Sequence, residues 1–243
     1  MTTIYAHRGA SKQAPENTMP AFDLAYHYGA DGVETDVQLT KDNVPVLIHD
    51  ENVRRTTNGV GFVQDYTYNE LKKLDAGSWF HPSFKGTPIP TLDELLTWNQ
   101  EKKMKLNIEL KNNLIDYKNL EQIVCDKIIA YDMIDKIVIS TFNDKCLHRL
   151  HQLPYDISYA FLTSKKRKDL IRFAKQQGAK GLHLRYRLLN KRLLENTNRE
   201  SLYVAVYTVN QPISLARVFK INCQAVFTDV PNIAIRIRQK IQD

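Results

Sequence analysis

Hydrophobic and polar residues follow two periods that alternate along this chain. Between residues 32 and 39 every second position is apolar or β-branched: Val33, Thr35, Val37 and Leu39. Such alternation is typical of a strand, whose side chains point to opposite faces in turn. Near the C-terminus a four-residue spacing indicates one face of a helix, formed by Ile233, Ile237 and Ile241. The chain therefore combines strands with amphipathic helices.

Eight segments carry the strand pattern, and most are separated by a helical one; the predicted helices include residues 117–131 and 166–177. The predicted strands are residues 3–7, 32–39, 105–111, 136–141, 157–163, 181–186, 202–209 and 225–229. Eight strands that alternate with helices in a chain of 243 residues predict a single (β/α)8 TIM barrel of the α/β class. A doubly wound sheet is the alternative, but it usually has a glycine-rich phosphate turn after its first strand. His7-Arg8-Gly9-Ala10 is not such a turn.

Residues 51–90 interrupt this regularity and are predicted to form a small insertion between strand 2 and the following helix. They contain an Asn58-Gly59 turn and a short helical stretch. Directly afterwards Thr91 and Glu94 stand in capping-box spacing, which predicts the start of a helix. No composition shift marks a boundary, so residues 1–243 are expected to form one domain.

Composition indicates a globular protein, with 43% hydrophobic and 25% charged residues. No apolar run approaches the roughly 18 residues needed to span a bilayer. The N-terminal segment lacks the apolar core of a signal peptide, so a cytoplasmic location is expected. Three widely spaced cysteines, in no metal-binding spacing, are expected to be reduced thiols: Cys125, Cys146 and Cys223.

Positive charge is concentrated in the second half of the chain. Residues 121–243 contain 21 Lys and Arg against 11 Asp and Glu, and they include the basic run 165–168. A basic surface attracts anionic ligands, although solvated helix faces give the same pattern. No nucleic-acid-binding motif is present, so no nucleic-acid partner is expected. Weak contact with an anionic membrane is a further expectation.

Polar side chains stand near the ends of the predicted strands, where TIM barrels place their active sites. The strand-end set is His7, Arg8, Glu34, Asp36, His49, Glu109, Lys111, His183, Arg185, Tyr207, Asn210 and Asp229. His49 follows the apolar run 44–48, which leads back from strand 2. We expect this set to converge at one mouth of the barrel, although any single acid of the set could simply be solvated.

The carboxylates of this set suit a hard cation. Glu34 and Asp36 lie two positions apart on one strand face, and Glu109 is expected on the neighbouring strand. Oxygen ligands favour Mg²⁺ or Ca²⁺. A divalent cation together with Arg8 and Lys111 outweighs the three carboxylates by one positive charge, which suits a monoanion such as a phosphodiester.

His7 and His49 form a candidate acid/base pair, because an unperturbed imidazole titrates near neutrality. One would deprotonate the attacking oxygen and the other would protonate the leaving alkoxide. No Cys or Ser stands in a nucleophile motif, so a covalent intermediate is not expected. His183 is expected to pack in or near the mouth. Asp50 is interpreted as a loop acid.

At these positions the chain resembles the glycerophosphodiester phosphodiesterase family, a branch of the phospholipase-C-like phosphodiesterase superfamily. The matching motifs are His7-Arg8-Gly9, PENT at 15–18, Glu34-x-Asp36, His49-Asp50, the insertion segment 54–80, Ile89-Pro90-Thr91-Leu92, Glu109-x-Lys111, YTVN at 207–210 and TDVP at 228–231. They occur in the family's order over nearly the whole chain. Tyr207 stands where many members have Trp, which affects substrate packing rather than chemistry.

The resemblance implies hydrolysis of glycerophosphodiesters to sn-glycerol 3-phosphate and an alcohol, with one divalent cation, Mg²⁺ or Ca²⁺. It implies catalysis by His7 and His49. The implied metal ligands are Glu34, Asp36 and Glu109, and the implied substrate contacts are Arg8, Lys111 and Tyr207. The partner would be a small-molecule phosphodiester.

Two alternative functions remain open on the sequence. One is lysophospholipase D-type hydrolysis of lysophospholipids at a membrane surface, and the other is a non-catalytic barrel that binds polyanions. Also open are the leaving head group, the metal, the oligomeric state and the division of acid and base between the histidines. Either water or a substrate hydroxyl could attack first. In the insertion, Trp79 and Phe80 either cover the site or anchor their own segment.

Overall fold

The computed structural model describes residues 1–242 and has a closed barrel of parallel strands as its centre. The strands are β1 (Thr3–His7), β2 (Gly32–Leu39), β3 (Pro45–Leu47), β4 (Lys105–Leu110), β5 (Ile137–Thr141), β6 (Ser158–Thr163), β7 (Gly181–Arg185), β8 (Tyr203–Tyr207) and β9 (Ala225–Thr228). The sheet runs in the order β1-β9-β8-β7-β6-β5-β4-β2, and β1 pairs with β2 to close it. The predicted TIM barrel is therefore confirmed.

Helices follow the barrel strands and cover their outer face. They are α1 (Met19–His27), α2 (Tyr68–Leu71), α3 (Leu92–Lys102), α4 (Leu120–Ala130), α5 (Asp144–Gln152), α6 (Leu170–Gln176), α7 (Lys191–Arg199), α8 (Pro212–Lys220) and α9 (Pro231–Gln242). Within residues 1–242, no helix has both the length and the hydropathy to cross a membrane. All three cysteines are buried and none forms a disulfide.

The predicted strands match the observed barrel strands to within two residues at each end, whereas two helices start later than predicted. Helix α4 begins at Leu120 rather than at 117, because Asn119 takes a left-handed backbone conformation with φ of 61°. Helix α6 begins at Leu170 rather than at 166. The basic run 165–168 would place positive charge at the positive end of the helix dipole, which disfavours helix there.

The insertion after β2 has an apolar core of its own. Strand β3 turns back and pairs antiparallel with β2, with Val37 opposite Leu47. The insertion core consists of Val46, Ile48, Val53, Val63, Leu71, Ala76 and Ile89. The predicted capping box then starts α3: Thr91 Oγ1 accepts from the Glu94 amide at 3.1 Å, and Glu94 Oε2 accepts from the Thr91 amide at 2.7 Å. The insertion core and the capped start of α3 together hold in place the chain segment that follows β3.

The two faces of the barrel wall have different roles. Outward residues such as Val33 and Ile108 join the main apolar core beneath the helices. Inward residues on the same strands include Glu34 and Asp36, so every residue of β2 is buried although its two faces differ in polarity. Apolar burial between barrel and helices therefore stabilises the fold and leaves the interior available for polar groups.

We expect Leu96→Ala to destabilise the protein strongly. Leu96 on α3 is fully buried in the main core, and Leu-to-Ala changes at such sites cost roughly 2–5 kcal/mol of unfolding free energy. Leu114→Ala is the matched control, because Leu114 is 81% exposed and should change stability by less than about 0.5 kcal/mol. Urea unfolding of both variants measures the difference, and similar values would contradict the assigned core.

His183 on β7 is an inward residue, and its protonation should make the free energy of unfolding depend strongly on pH in the acid range. Its side chain is buried, and burial lowers its pKa from 6.5 to about 3. The unfolded chain therefore takes up this proton at higher pH than the folded one. The stability linked to His183 is fully present above pH 6.5 and is lost as the pH falls from there toward about 3.

We expect His183→Phe to flatten the acid side of the stability profile. The wild-type free energy of unfolding should fall by up to about 1.4 kcal/mol per pH unit more steeply than that of the variant between pH 6 and 4. Urea titrations at matched pH values measure both slopes. Equal slopes would mean that His183 is protonated normally inside the barrel.

Candidate active site

A cavity of about 230 Å³ opens at the carboxyl ends of the barrel strands. Its walls include His7, Arg8, Glu34, His49, Asn107, Glu109, Lys111, Ser140, Phe142, His183, Tyr207 and Phe227. The structure thus brings seven of the eight site residues predicted from the sequence to one cavity. The eighth, Asp36, lies directly behind them in contact with Arg8 and Lys111.

Three buried carboxylates form one cluster in this mouth. Glu34 and Asp36 come from β2, and Asp36 lies opposite Glu109 in the register of β2 with β4. Each of the three offers an oxygen within 4.8 Å of the other two. Asp36 is completely buried, and Glu34 and Glu109 are nearly so. Such crowding of like charge is costly unless positive charge offsets it.

Two cations approach the cluster from its sides. Arg8 Nε lies 3.3 Å from Asp36 Oδ2. Lys111 Nζ lies 3.0 Å from Glu109 Oε1 and 3.8 Å from Asp36 Oδ1. The predicted phosphate ligands therefore make internal ion pairs.

The pKa values show that these two cations do not neutralise the whole cluster. Burial, followed by the charges of Asp36 and Glu109, raises the pKa of Glu34 to about 8. Burial also raises the pKa of Glu109, against the opposing effect of Lys111. Burial alone would raise the pKa of Asp36, but Arg8 and Lys111 hold it below its usual range. The cluster therefore has capacity for another positive charge.

The donor set fits a divalent cation. Asp36 Oδ1 is buried and has no hydrogen-bond partner among the described residues. Together with the nearby oxygens of Glu34 and Glu109, this atom supplies hard anionic ligands of the kind that Mg²⁺ and Ca²⁺ prefer. The structure thus offers a site for such an ion at the place predicted from the sequence.

Asn17 holds Asp36 in place, a role that the sequence alone did not reveal. Its Nδ2 donates to Asp36 Oδ2 at 2.9 Å, and its Oδ1 accepts from Thr35 Oγ1 at 2.8 Å. Asn17 is buried and has a φ of 55°, a conformation that Asn tolerates better than most residues. The signal available in the sequence was its place in the PENT motif.

The turn after β1 brings Arg8 to Glu34. Arg8 and Gly9 have positive φ values of 56° and 81°, and the Arg8 amide donates to Glu34 Oε2 at 2.9 Å. A Cβ on Gly9 would lie 2.6 Å from Ala21 of α1, so a larger residue would push the turn away from the helix. Glycine after Arg8 is therefore needed for both conformation and close packing.

His7 is oriented by an acid from the opposite end of the sequence. Its Nδ1 lies 2.7 Å from Asp229 Oδ1, and Asn210 Nδ2 donates to Asp229 Oδ2 at 2.6 Å. Burial lowers the pKa of His7, but the opposing effects of Glu34 and Asp229 together outweigh it, so the pKa is raised overall. With Nδ1 held by Asp229, Nε2 is the nitrogen free to exchange a proton.

His49 has a matching acid from the next position in the chain. Asp50 Oδ1 lies 2.5 Å from His49 Nδ1, and Arg55 Nε donates to Asp50 Oδ2 at 2.6 Å. Lys111 Nζ lies 3.3 Å from His49 Nε2. Asp50, interpreted from the sequence as a loop acid, thus orients a histidine. The adjacent His49-Asp50 pair was visible in the sequence, but the bond between the side chains was not.

Arg55 also ties the insertion to the first barrel loop. It donates to Glu16 with both terminal nitrogens, at 2.9 and 2.7 Å, and Glu16 accepts from Arg8 at 2.9 Å. A continuous chain of ion pairs therefore runs from Asp50 through Arg55 and Glu16 to Arg8. Because Arg8 contacts Asp36, the support of His49 and the carboxylate cluster share one network.

Two pairs of aromatic residues lie in different places, one in the cavity wall and one in the insertion. Tyr207 lines the cavity and packs edge-on against Phe142, with ring centroids 5.8 Å apart. Trp79 and Phe80 pack edge-on against each other, and Trp79 Nε1 donates to the Ala76 carbonyl. Neither of them lines the cavity, and Trp79 is 40% exposed.

Comparisons with known proteins identify the family of this chain. The profile of the glycerophosphoryl diester phosphodiesterase family matches residues 7–233. A glycerophosphodiester phosphodiesterase of Bacillus altitudinis is 37% identical over 245 residues, covering 100% of both chains. The YqiK protein of Bacillus subtilis is 38% identical over 233 residues, covering 95% of this chain and 96% of that one.

Solved structures give the same result. A phosphodiesterase of Oleispira antarctica, determined in complex with its product sn-glycerol 3-phosphate, has a TM-score of 0.88 at 28% identity, covering 98% of this chain and 97% of that one. A glycerophosphodiester phosphodiesterase of Agrobacterium tumefaciens has a TM-score of 0.85 at 27% identity, covering 97% and 100%. The chain therefore belongs to the glycerophosphoryl diester phosphodiesterase family and is a phosphoric diester hydrolase.

Proposed function

We propose that the protein hydrolyses glycerophosphodiesters to sn-glycerol 3-phosphate and an alcohol by acid/base catalysis with His7 and His49, using one divalent cation. One observation carries the proposal: two histidines, each held at Nδ1 by a carboxylate, line the same cavity as the acidic cluster. Because a carboxylate holds each Nδ1, Nε2 is the nitrogen proposed for proton transfer in both rings; in His49 this atom also lies 3.3 Å from Lys111 Nζ. The relative from Oleispira antarctica, with its bound sn-glycerol 3-phosphate, supports the product class.

The two histidines divide the proton transfers. One accepts the proton of the attacking oxygen, from water or from a substrate hydroxyl, as the new phosphorus–oxygen bond forms. The other donates a proton to the oxygen of the departing alcohol as the old bond breaks. Asp229 and Asp50 keep each ring in orientation, and Asp229 also raises the pKa of His7.

Glu34, Asp36 and Glu109 would hold the divalent cation, Mg²⁺ or Ca²⁺. When bound, it supplies Lewis-acid polarisation of a phosphoryl oxygen. Arg8 and Lys111 lie beside the same carboxylates and line the cavity, so they are placed to bind the phosphate once part of the acidic charge is neutralised. Tyr207 would pack against the substrate from the wall that it shares with Phe142.

The basic surface around the mouth favours an anionic substrate. Exposed, unpaired cations follow β6 and β7 at the carboxyl end of the barrel: Lys165, Lys166, Lys168, Arg185, Arg187, Lys191 and Arg192. Such a field raises the local concentration of anions. Weak contact of this rim with an anionic membrane is a prediction that the same charges support, and it is compatible with a small diester as the substrate.

We expect His7→Gln and His49→Gln each to lower kcat for a glycerophosphodiester by about 10²–10⁴-fold, because each removes one proton-transfer group. His148→Gln is the matched control: His148 is exposed on α5, outside the cavity, and its loss should leave kcat unchanged. Steady-state assays with sn-glycero-3-phosphocholine, sn-glycero-3-phosphoethanolamine and glycerophosphoglycerol provide the measurement. Near-normal turnover in either cavity variant would contradict the two-histidine mechanism.

Metal removal should reduce both activity and stability. An ion that binds only the folded state stabilises it by about 2.7 kcal/mol at a hundredfold excess over Kd. We therefore expect Mg²⁺ or Ca²⁺ to raise Tm after dialysis against EDTA, and to restore turnover. Asp36→Asn should abolish the Tm increase, whereas the exposed Asp135→Asn should retain it. Full activity in EDTA, or an unchanged Tm response in Asp36→Asn, would argue against this metal site.

A further inference from the structure

The floor of the cavity carries polar side chains that the proposed mechanism does not use. Asn107 on β4 lies two positions before Glu109, and His183 on β7 lies two positions before Arg185. Each is thus one inward step deeper in the barrel than a residue at the mouth. With Ser140 on β5 they line the cavity, and all three are at most 2% exposed. Asn107, Ser140 and His183 are called the floor residues below.

Two floor residues each have a buried polar atom without a partner. Asn107 Oδ1 and His183 Nδ1 make no hydrogen bond among residues 1–242. Their other polar atoms are engaged: Asn107 Nδ2 donates to Ser140 Oγ at 2.7 Å, and His183 Nε2 lies 2.9 Å from the hydroxyl of Tyr203. These bonds fix the amide and the ring, and they leave the two free atoms on residues that face one cavity.

Buried polar groups without partners are rare, because each costs about 1–3 kcal/mol. Barrel interiors of this fold are usually filled with branched apolar side chains. Leucine or valine at these positions would avoid the cost. Two such atoms on residues that line one cavity therefore point to a ligand that supplies their hydrogen bonds.

The floor has the chemistry to bind an uncharged hydroxyl group. Burial lowers the pKa of His183 to about 3, so its ring is neutral at physiological pH. An amide oxygen, a serine hydroxyl and a neutral imidazole can each exchange hydrogen bonds with an alcohol, and none offers a charge to a phosphate or an ammonium group. Phe227 packs against His183 with ring centroids 5.0 Å apart and supplies an apolar wall for carbon atoms.

We propose that Asn107 and His183 form a hydroxyl-binding subsite on the barrel floor, which receives the glycerol moiety while the phosphate stays at the mouth beside Arg8 and Lys111. The subsite rests on the proposed phosphodiesterase function and adds to it the basis of selection: substrates with a polyol on phosphorus are preferred over diesters without free hydroxyls. Asn107 and His183 act here as specificity residues, since neither takes part in the proton transfers.

Binding of two matched phosphate monoesters tests the subsite without turnover. sn-Glycerol 3-phosphate and n-propyl phosphate share a three-carbon chain, and only the first has hydroxyl groups. We expect the wild-type protein with Mg²⁺ to bind sn-glycerol 3-phosphate about 10–100-fold more tightly, as measured by titration calorimetry. Equal affinities in the wild type would overturn the subsite before any variant is made.

Asn107→Leu and His183→Phe should each reduce that preference to less than about threefold, mainly by weakening sn-glycerol 3-phosphate. Asn99→Leu is the matched control, because Asn99 is an equally buried amide on α3 that bonds Met104 outside the cavity. It should keep the wild-type preference even if its Tm falls. A full preference in either folded floor variant would overturn the role of that residue. The two variants are independent, so one remains informative if the other fails to fold.

Turnover assays separate this proposal from the proposed function. A wild-type protein that hydrolyses no glycerophosphodiester, yet prefers sn-glycerol 3-phosphate through Asn107 and His183, would refute the reaction and keep the subsite. A wild-type protein that hydrolyses glycerophosphodiesters, and whose floor variants retain wild-type kcat/KM and binding preference, would refute the subsite and keep the reaction. A rise in KM with little change in kcat is expected for Asn107→Leu, because the lost contact lies away from the reacting atoms.

Discussion

The buried carboxylates of Glu34, Asp36 and Glu109 are the constraint on which the rest of the site depends. Their oxygens lie within 4.8 Å of one another and the side chains are largely buried, so water screens little of their mutual repulsion. The surrounding structure offsets it only in part. Arg8 and Lys111 hold Asp36 ionised, while Glu34 and Glu109 keep raised pKa values. This residual excess of acid is what makes a divalent cation, and then an anionic diester, energetically compatible with one mouth.

The ion pairs around this cluster also set the position of His49. Arg8 contacts Asp36 and Glu16, and Glu16 holds Arg55, which in turn holds the acid that orients His49. An insertion with its own apolar core is thereby locked to the first barrel loop by charge rather than by burial. His7 is fixed independently from β9. The two histidines proposed for proton transfer thus have supports of different origin, each made by a carboxylate that is itself held in place.

Periodicity alone predicted the parts of the site that lie on single strands. Glu34 and Asp36 share a face because they are two apart, and Glu109 and Lys111 do so for the same reason. The bond between His7 and Asp229 spans 222 positions and depends on barrel closure, so no local pattern reveals it. The bond between His49 and Asp50 is local but depends on two rotamers, and the Arg55–Glu16 pair joins segments 39 positions apart. Asn17 was marked only by the family motif around it.

The barrel separates stability from chemistry by using opposite faces of the same strands. Outward side chains such as Val33 and Ile108 are completely buried against the helices, so the fold does not need an apolar interior as well. The interior can then hold groups that a packing core would exclude: carboxylates at the mouth, and an amide and a neutral imidazole at the floor. Burying those groups costs free energy that an apolar filling would avoid. In the proposed subsite a ligand supplies the hydrogen bonds that Asn107 and His183 lack, so substrates would be distinguished by their hydroxyl groups as well as by charge.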